Sequence, residues 1–232
     1  MTDYRKRSYE KELLDKDGLP FDDIRLNMQE LNFINSHLGG HHITITGFKN
    51  LAAGKKTVSV CEIGCGGGDN LDAIYQWSVK NKLQTKFTGV DINPNCIAYA
   101  KEKTLIPGSR FIVSDYKTCE LDTRNDILFS SLFCHHFHNH ELVQMMKWMQ
   151  HNSKLGFFIN DLHRHPVAYY FIKLATQLFS SSYLVKNDAP LSVLRGFKKK
   201  EWKKILDQAG ITGYNIKWKW AFRHLIVVKN HK

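Results

Sequence analysis

One stretch constrains the fold more than any other. Val60 to Asn70, VCEIGCGGGDN, carries an apolar strand through an acidic residue into Gly64, Gly66, Gly67 and Gly68, and then into a helix start. Glycine has no Cβ, so such a loop can turn sharply and let a ligand touch the backbone, while the helix that follows offers unpaired N–H groups. Glu62 sits at the end of this strand. A second strand, Lys86 to Val90, ends in Asp91, 23 residues after Gly68, where a carboxylate can take both hydroxyls of a ribose. Parts in this order describe a nucleotide pocket.

The dinucleotide fingerprint needs G-x-G-x-x-G, whereas this chain has E-x-G-x-G-G-G with the acid before the first glycine. That pattern resembles motif I of the class I S-adenosylmethionine (SAM) methyltransferases, an acidic residue followed by G-x-G-x-G. A carboxylate also makes better electrostatic sense beside a sulfonium and an ammonium than beside a diphosphate.

A chain of 232 residues with 43% apolar content can build one sizeable α/β domain. No apolar run approaches the roughly 20 residues that span a bilayer, and the first residues are too polar for a secretory signal, so a cytoplasmic protein is expected. Cys61, Cys65, Cys96, Cys119 and Cys134 are odd in number with no C-x-x-C, which points to reduced thiols. The net charge of +11 raises nucleic-acid binding. Its densest run, KKKEWKK at Lys198 to Lys204, is better read as the solvated face of an amphipathic helix with Trp202, Ile205, Leu206 and Ala209 inward and Gly210 as its stop. The alternation in IKWKWAFR, Ile216 to Arg223, reads as an edge hairpin.

The expected architecture is a Rossmann-like, mostly parallel sheet with helices on both faces. A helical cap, residues 1–50, would contain a helix over Phe21 to His37 closed by Gly39 and Gly40. The methyltransferase-like domain would fill 51–232. Strands are expected at Thr57 to Glu62, at Lys86 to Val90, at Arg110 to Val113, at Asp126 to Leu132 and at Phe157 to Ile159. Helix A starts near Asp69 and turns Leu71, Ile74, Trp77 and Val79 inward, and Asn93–Pro94 opens the next helix. Leu142, Met145, Met146 and Met149 form a core stripe. NSKLG, Asn152 to Gly156, stands where a turn precedes strand five. A long insertion, about 166–195, holds PVAYYFIKLATQLF, apolar nearly all round, which must bury against the sheet or lie over a pocket as a lid.

The resemblance covers about Thr57 to Val228, with the ubiquinone and menaquinone C-methyltransferase type as the nearest broad relative, and implies seven strands, the last antiparallel. It implies SAM as cofactor and S-adenosylhomocysteine (SAH) as product. Gly64, Cys65 and Gly66 would hold the methionine part, with Glu62 orienting its amino group. Asp91 would bind the ribose, Asp115 with Ser114 the adenine amine, Ile92 and Tyr116 the ring, and Ser130 or Ser131 would lie beside the sulfonium. LHRHP (Leu162 to Pro166) and SYLVKNDAPLSVLRGF (Ser182 to Phe197) are similar to a bacterial subgroup associated with polyketide and quinone-like pigments.

If the acceptor is a phenol or an acidic carbon, a base near neutral pKa assists, and histidine fits. His135, His136, His138 and His140 follow strand four and His163 and His165 follow strand five. The expected base is His136 or His135, with His163, Arg164 and Asp161 shaping the acceptor site. Helix capping is the plainer account of these histidines, and a zinc or catechol-binding ion held with Asp161 the sharper one; no resident metal is expected. The partner is a small aromatic or lipid-like molecule rather than nucleic acid, and the apolar insertion leaves a homodimer open. Two other readings stand: an RNA methyltransferase, against which no N-P-P-Y or Pro-Cys signature follows strand four, and a catalytically silent SAM-binding protein.

Overall fold

A computed structural model describes residues 3–16, 18–121 and 123–230. An extended N-terminal segment and a 3-10 turn, Leu13–Asp15, lead into α1, Phe21–His37. Gly39, at φ +75°, ends that helix as expected, but Gly40 then opens another, α2 (Gly40–Ala52), which the sequence pattern does not announce. This helix packs on the sheet through Ile43, Phe48 and Leu51. Gly47 permits the approach, since a Cβ there would stand 2.4 Å from the Phe158 ring.

The alternating part follows: β1 (Thr57–Ile63), α3 (Asp69–Lys80), β2 (Gln84–Asp91), α4 (Pro94–Lys103), β3 (Arg110–Val113), β4 (Asn125–Ser131), α5 (Asn139–Asn152) and β5 (Ser153–Leu162). Asn93 caps α4 by accepting the Asn95 N–H at 2.9 Å, with Pro94 in the first helical position. Two inserted helices, α6 (Pro166–Phe179) and α7 (Tyr183–Arg195), precede α8 (Lys199–Gln208), β6 (Tyr214–Lys219) and β7 (Arg223–Lys229).

The strands form one sheet in the order β3-β2-β1-β4-β5-β7-β6. Neighbours from β3 to β5 are parallel, and β7 runs antiparallel between β5 and β6. This is the expected seven-stranded Rossmann-like sheet with its closing hairpin. One core layer joins Met145, Met146 and Met149 of α5 to Trp202, Ile205 and Leu206 of α8; the other joins Phe48, Leu71, Ile74 and Ile97. Each such side chain removed from water contributes about 1.5–3 kcal/mol. The chain builds outward from β1 in both directions, so a crevice opens beyond the carboxyl ends of β1 and β4.

Three local expectations are corrected. Val79 faces solvent, because Ser78 is the buried residue at that turn of α3. NSKLG is not a separate turn: Ser153 already begins β5, its hydroxyl capping α5 at the Met149 carbonyl, 2.7 Å away. Gly156 inside the strand takes φ +133°, and a Cβ there would strike the Val228 carbonyl at 2.1 Å. Finally, α6 is not buried all round; Tyr170, Leu174, Leu178 and Phe179 project outward.

Candidate active site

A cavity of about 890 Å³ occupies the crevice. Gly64, Cys65 and Gly66 form its floor at the end of β1. Asp91 and Ile92 follow β2, Ser114, Asp115 and Tyr116 follow β3, and Ser131, His135 and His136 follow β4. The topology thus brings together on one wall most of the residues singled out by sequence.

The loop geometry suits a ligand that lies against backbone. Gly64 sits at φ +67° and a Cβ there would meet Phe133 at 2.1 Å; Gly66 sits at φ +49° with only Met28 Sδ near, at 3.4 Å. The Gly66 N–H donates to Asp91 Oδ2 at 2.8 Å, and the Asn93 N–H donates to Asp91 Oδ1 at 2.9 Å. These bonds fix the carboxylate on the cavity wall. Burial raises the Asp91 pKa, and those backbone donors oppose the rise.

Glu62 is fully buried and stands behind the wall rather than on it. Asn70, which does line the cavity, donates from Nδ2 to Glu62 Oε1 at 2.9 Å, and Thr44 donates to Asn70 Oδ1 at 3.1 Å. Glu62 Oε2 has no partner, and burial drives the carboxyl pKa well upward, with Asp69 and Asp91 adding to it. With Glu62 behind the wall, Asn70 is the member of the pair that faces the pocket. Asn70 is the contact that sequence reading missed; its place at a helix N-terminus was visible, its second role was not.

Ser130 points to the other side of β4, against Cys134 Sγ at 3.3 Å, and does not reach the cavity. Tyr116 contributes to the wall, yet its ring packs edge-on to Phe133, Phe137 and Trp148. Ile92 stands exposed at the rim.

The histidines divide by location. His135 is buried, with Nδ1 2.8 Å from Asp161 Oδ1 and Nε2 3.5 Å from Glu12 Oε1. Burial opposes a charge on this ring, but Asp161 and Glu12 outweigh it and raise its pKa to about 9. His136 is partly open to the cavity, Nδ1 3.2 Å from Asp15 Oδ1 and Nε2 3.7 Å from Glu12 Oε2. His138 stacks on Tyr9 at 4.4 Å and begins α5, its N–H donating to Glu141. His163 lies off the cavity, its ring 4.8 Å from that of His224, and burial lowers its pKa.

Glu12 and Asp15 belong to the N-terminal segment, which sequence reading had treated only as part of a cap. The segment is strapped over the site. Leu13 and Leu14 donate their N–H groups to Asp188 of α7, at 2.8 and 3.0 Å. Arg195 donates to the His135 carbonyl at 3.1 Å and to the Glu10 carbonyl at 2.6 Å. Arg164, expected to shape the acceptor site, instead holds the strap by donating to the carbonyls of Tyr4 and Arg5 and to Glu201. Glu12, His135 and His136 also bring possible metal-ligand atoms within 4.8 Å of one another. Arg195 Nε lies 4.0 Å from that same Glu12, so the charges there are balanced by protein groups.

Residues 60–156 match the family model of a methyltransferase domain. No curated protein sequence matches the chain. Among solved structures, it resembles the plantazolicin methyltransferase BpumL in complex with SAH, with 17% identity, a TM-score of 0.66 and coverage of 91% of this chain and 96% of that one. It also resembles human N-acetylserotonin methyltransferase in complex with SAM, with 19% identity and a TM-score of 0.63, covering 96% of this chain and 63% of that one. A third is magnesium protoporphyrin IX methyltransferase from Synechocystis PCC 6803 with bound SAH, with 16% identity and a TM-score of 0.53 over 93% of this chain and 90% of that one. Residues 60–156 thus match a methyltransferase domain, and the fold is the one seen in these SAM- and SAH-bound methyltransferases. Among the described residues, no helix is long and apolar enough to cross a membrane.

Proposed function

We propose that this enzyme moves a methyl group to an oxygen or an acidic carbon of a small hydrophobic acceptor of phenolic, quinone-like or polyketide type. One observation carries the reading: a single cavity runs from the glycine loop to the His135–His136 pair and on to Ala168, Phe171 and Ile172 of α6. The resembling enzymes are likewise named for small acceptors, plantazolicin, N-acetylserotonin and magnesium protoporphyrin IX.

Bound SAM supplies an electrophilic methyl group together with its leaving group. Alignment and exclusion of water are therefore the main tasks left to the chain. Gly64, Cys65 and Gly66 would hold the methionine part, Asp91 the ribose, and Ile92, Ser114, Asp115 and Tyr116 the adenine, with Ser131 toward the reacting centre. His135 is already charged at neutral pH and so has no lone pair for another proton. His136 is the member of the pair open to the cavity, and Glu12 and Asp15 stabilise the imidazolium formed when it takes the acceptor's proton. The apolar face of α6 shields that centre from water.

Incubation with labelled SAM and a panel of phenols, quinones and total RNA tests the reading. Label in a phenol or quinone supports it. Label in RNA alone, or SAM binding without transfer to any acceptor, overturns it in favour of an RNA enzyme or a silent SAM-binding protein.

A further inference from the structure

Four arginines are buried: Arg7, Arg164, Arg195 and Arg223. Three of them are spent inside the protein. Arg7 donates to the carbonyls of Arg195, His135 and Phe137 and to Asn139. Arg164 and Arg195 hold the strap as described above. Arg223, the first residue of β7 and 3% exposed, differs. Its Nη2 donates to Asn35 Oδ1 at 2.7 Å, while its Nη1 has no hydrogen-bond partner. Among the described residues no carboxylate comes within the 4.0 Å that defines an ion pair with it. Burial lowers its pKa to about 10, with Asp161 opposing, so it stays charged at neutral pH. Arg223 lines the cavity, beside Phe222 and across the β5–β7 ladder from Leu162; Ala168 and Ile172 of α6 line the same cavity.

The unpartnered Nη1 is itself covered, against Gly40, and a buried guanidinium on a cavity wall with no carboxylate beside it is costly unless an anion completes it. The donor's own carboxylate is badly placed to do so. Asp91 ends β2 and Arg223 begins β7, with β1, β4 and β5 between them. Four strand spacings are about 19 Å in the sheet, more than the methionyl arm of a donor whose ribose is held at Asp91 can span. Arg223 therefore lies on the acceptor side of the cavity.

We propose that Arg223 receives a carboxylate carried by the methyl acceptor, so that the acceptor is an aryl or polyketide acid with its apolar body against α6 and its acid group on Arg223. This rests on the small-acceptor reading of the site. Asn35 fixes the guanidinium plane from behind, which makes Arg223 a specificity-determining residue rather than a proton donor.

The test is binding, not turnover. 4-Hydroxycinnamate and longer aryl-enoic acids, each beside its primary amide, are titrated calorimetrically into protein saturated with SAH. The acids bind the wild-type protein at least about tenfold more tightly than the amides, and in Arg223→Met the preference falls to within about twofold while SAH affinity is unchanged. Arg223→Lys, which keeps the charge but not the fork, falls between. Equal or absent binding of acid and amide to the wild type overturns the proposal, with no need of a folded variant. So does a preference that survives in Arg223→Met, or a parallel loss of SAH affinity, which would give the fork to the donor. Acids that bind selectively yet accept no methyl group leave the subsite standing and count against the small-acceptor reading instead.

Discussion

The imidazole of His135 is clamped between two carboxylates far apart in sequence, Asp161 at 2.8 Å and Glu12 at 3.5 Å. Its pKa is raised to about 9, against about 6.5 in an unfolded chain. The folded state therefore binds a proton that the unfolded state has released. The stabilisation is complete below about pH 6.5 and is lost as the pH climbs through about 9, some 3 kcal/mol in total. Chemical denaturation at both ends of this window should show that loss in the wild type and a much flatter profile in His135→Gln. Equal slopes for the two proteins would remove the clamp from the account.

Turnover should separate the two neighbouring histidines. His136→Gln is expected to lower kcat by about 10²–10³ at neutral pH with partial recovery at higher pH, as an acceptor ionises without help. His135→Gln should act mainly through stability and the placement of the strap. Rates under saturating SAM decide this; an unaffected His136→Gln enzyme would end its assignment as base.

Asn70 should matter more to folding than the acid it serves. Asn70→Ala leaves Glu62 without the hydrogen bond at Oε1 and costs about 1–3 kcal/mol. Glu62→Gln resembles the neutral carboxyl that burial favours and should be close to neutral in thermal unfolding. Comparable losses in the two variants would mean that Glu62 is ionised in the free protein.

Two loop glycines can be told apart. Gly64→Ala combines a left-handed backbone with collision against Phe133, at a cost of about 3 kcal/mol in denaturant titration. Gly66→Ala meets almost nothing inside the protein, so it should cost about 1 kcal/mol yet abolish most SAM affinity by intruding where the ligand lies. Retention of full affinity by Gly66→Ala would place the donor elsewhere.

The sheet was readable because its signals are local. An apolar run ending in Glu62, another ending in Asp91, an Asn93–Pro94 start and a four-residue stripe on α5 each depend on neighbours in sequence. The donor side of the cavity follows from those strand ends. What stayed hidden depends on distant contacts. Nothing in LLD around Leu13–Asp15 shows that Glu12 and Asp15 will meet His135 and His136, and Arg164 looked like a site residue because it is polar beside a strand end. The same holds for α2, whose moderately apolar GHHITITGFKNLA reads as strand or helix until Phe158 is seen to receive Gly47. Arg223 could be placed only once β7 was known to sit beside β5.

The strap has a bearing on biosynthesis. Ser192 holds Glu12 across 180 positions of sequence, and Arg195 reaches back to Glu10. A ribosome-bound chain can complete its glycine loop early, yet Glu12 and Asp15 gain their holders Ser192 and Arg195 only after α7 has emerged. A bulky fusion placed ahead of Tyr4 would accordingly be felt at the histidine pair before it was felt by the sheet.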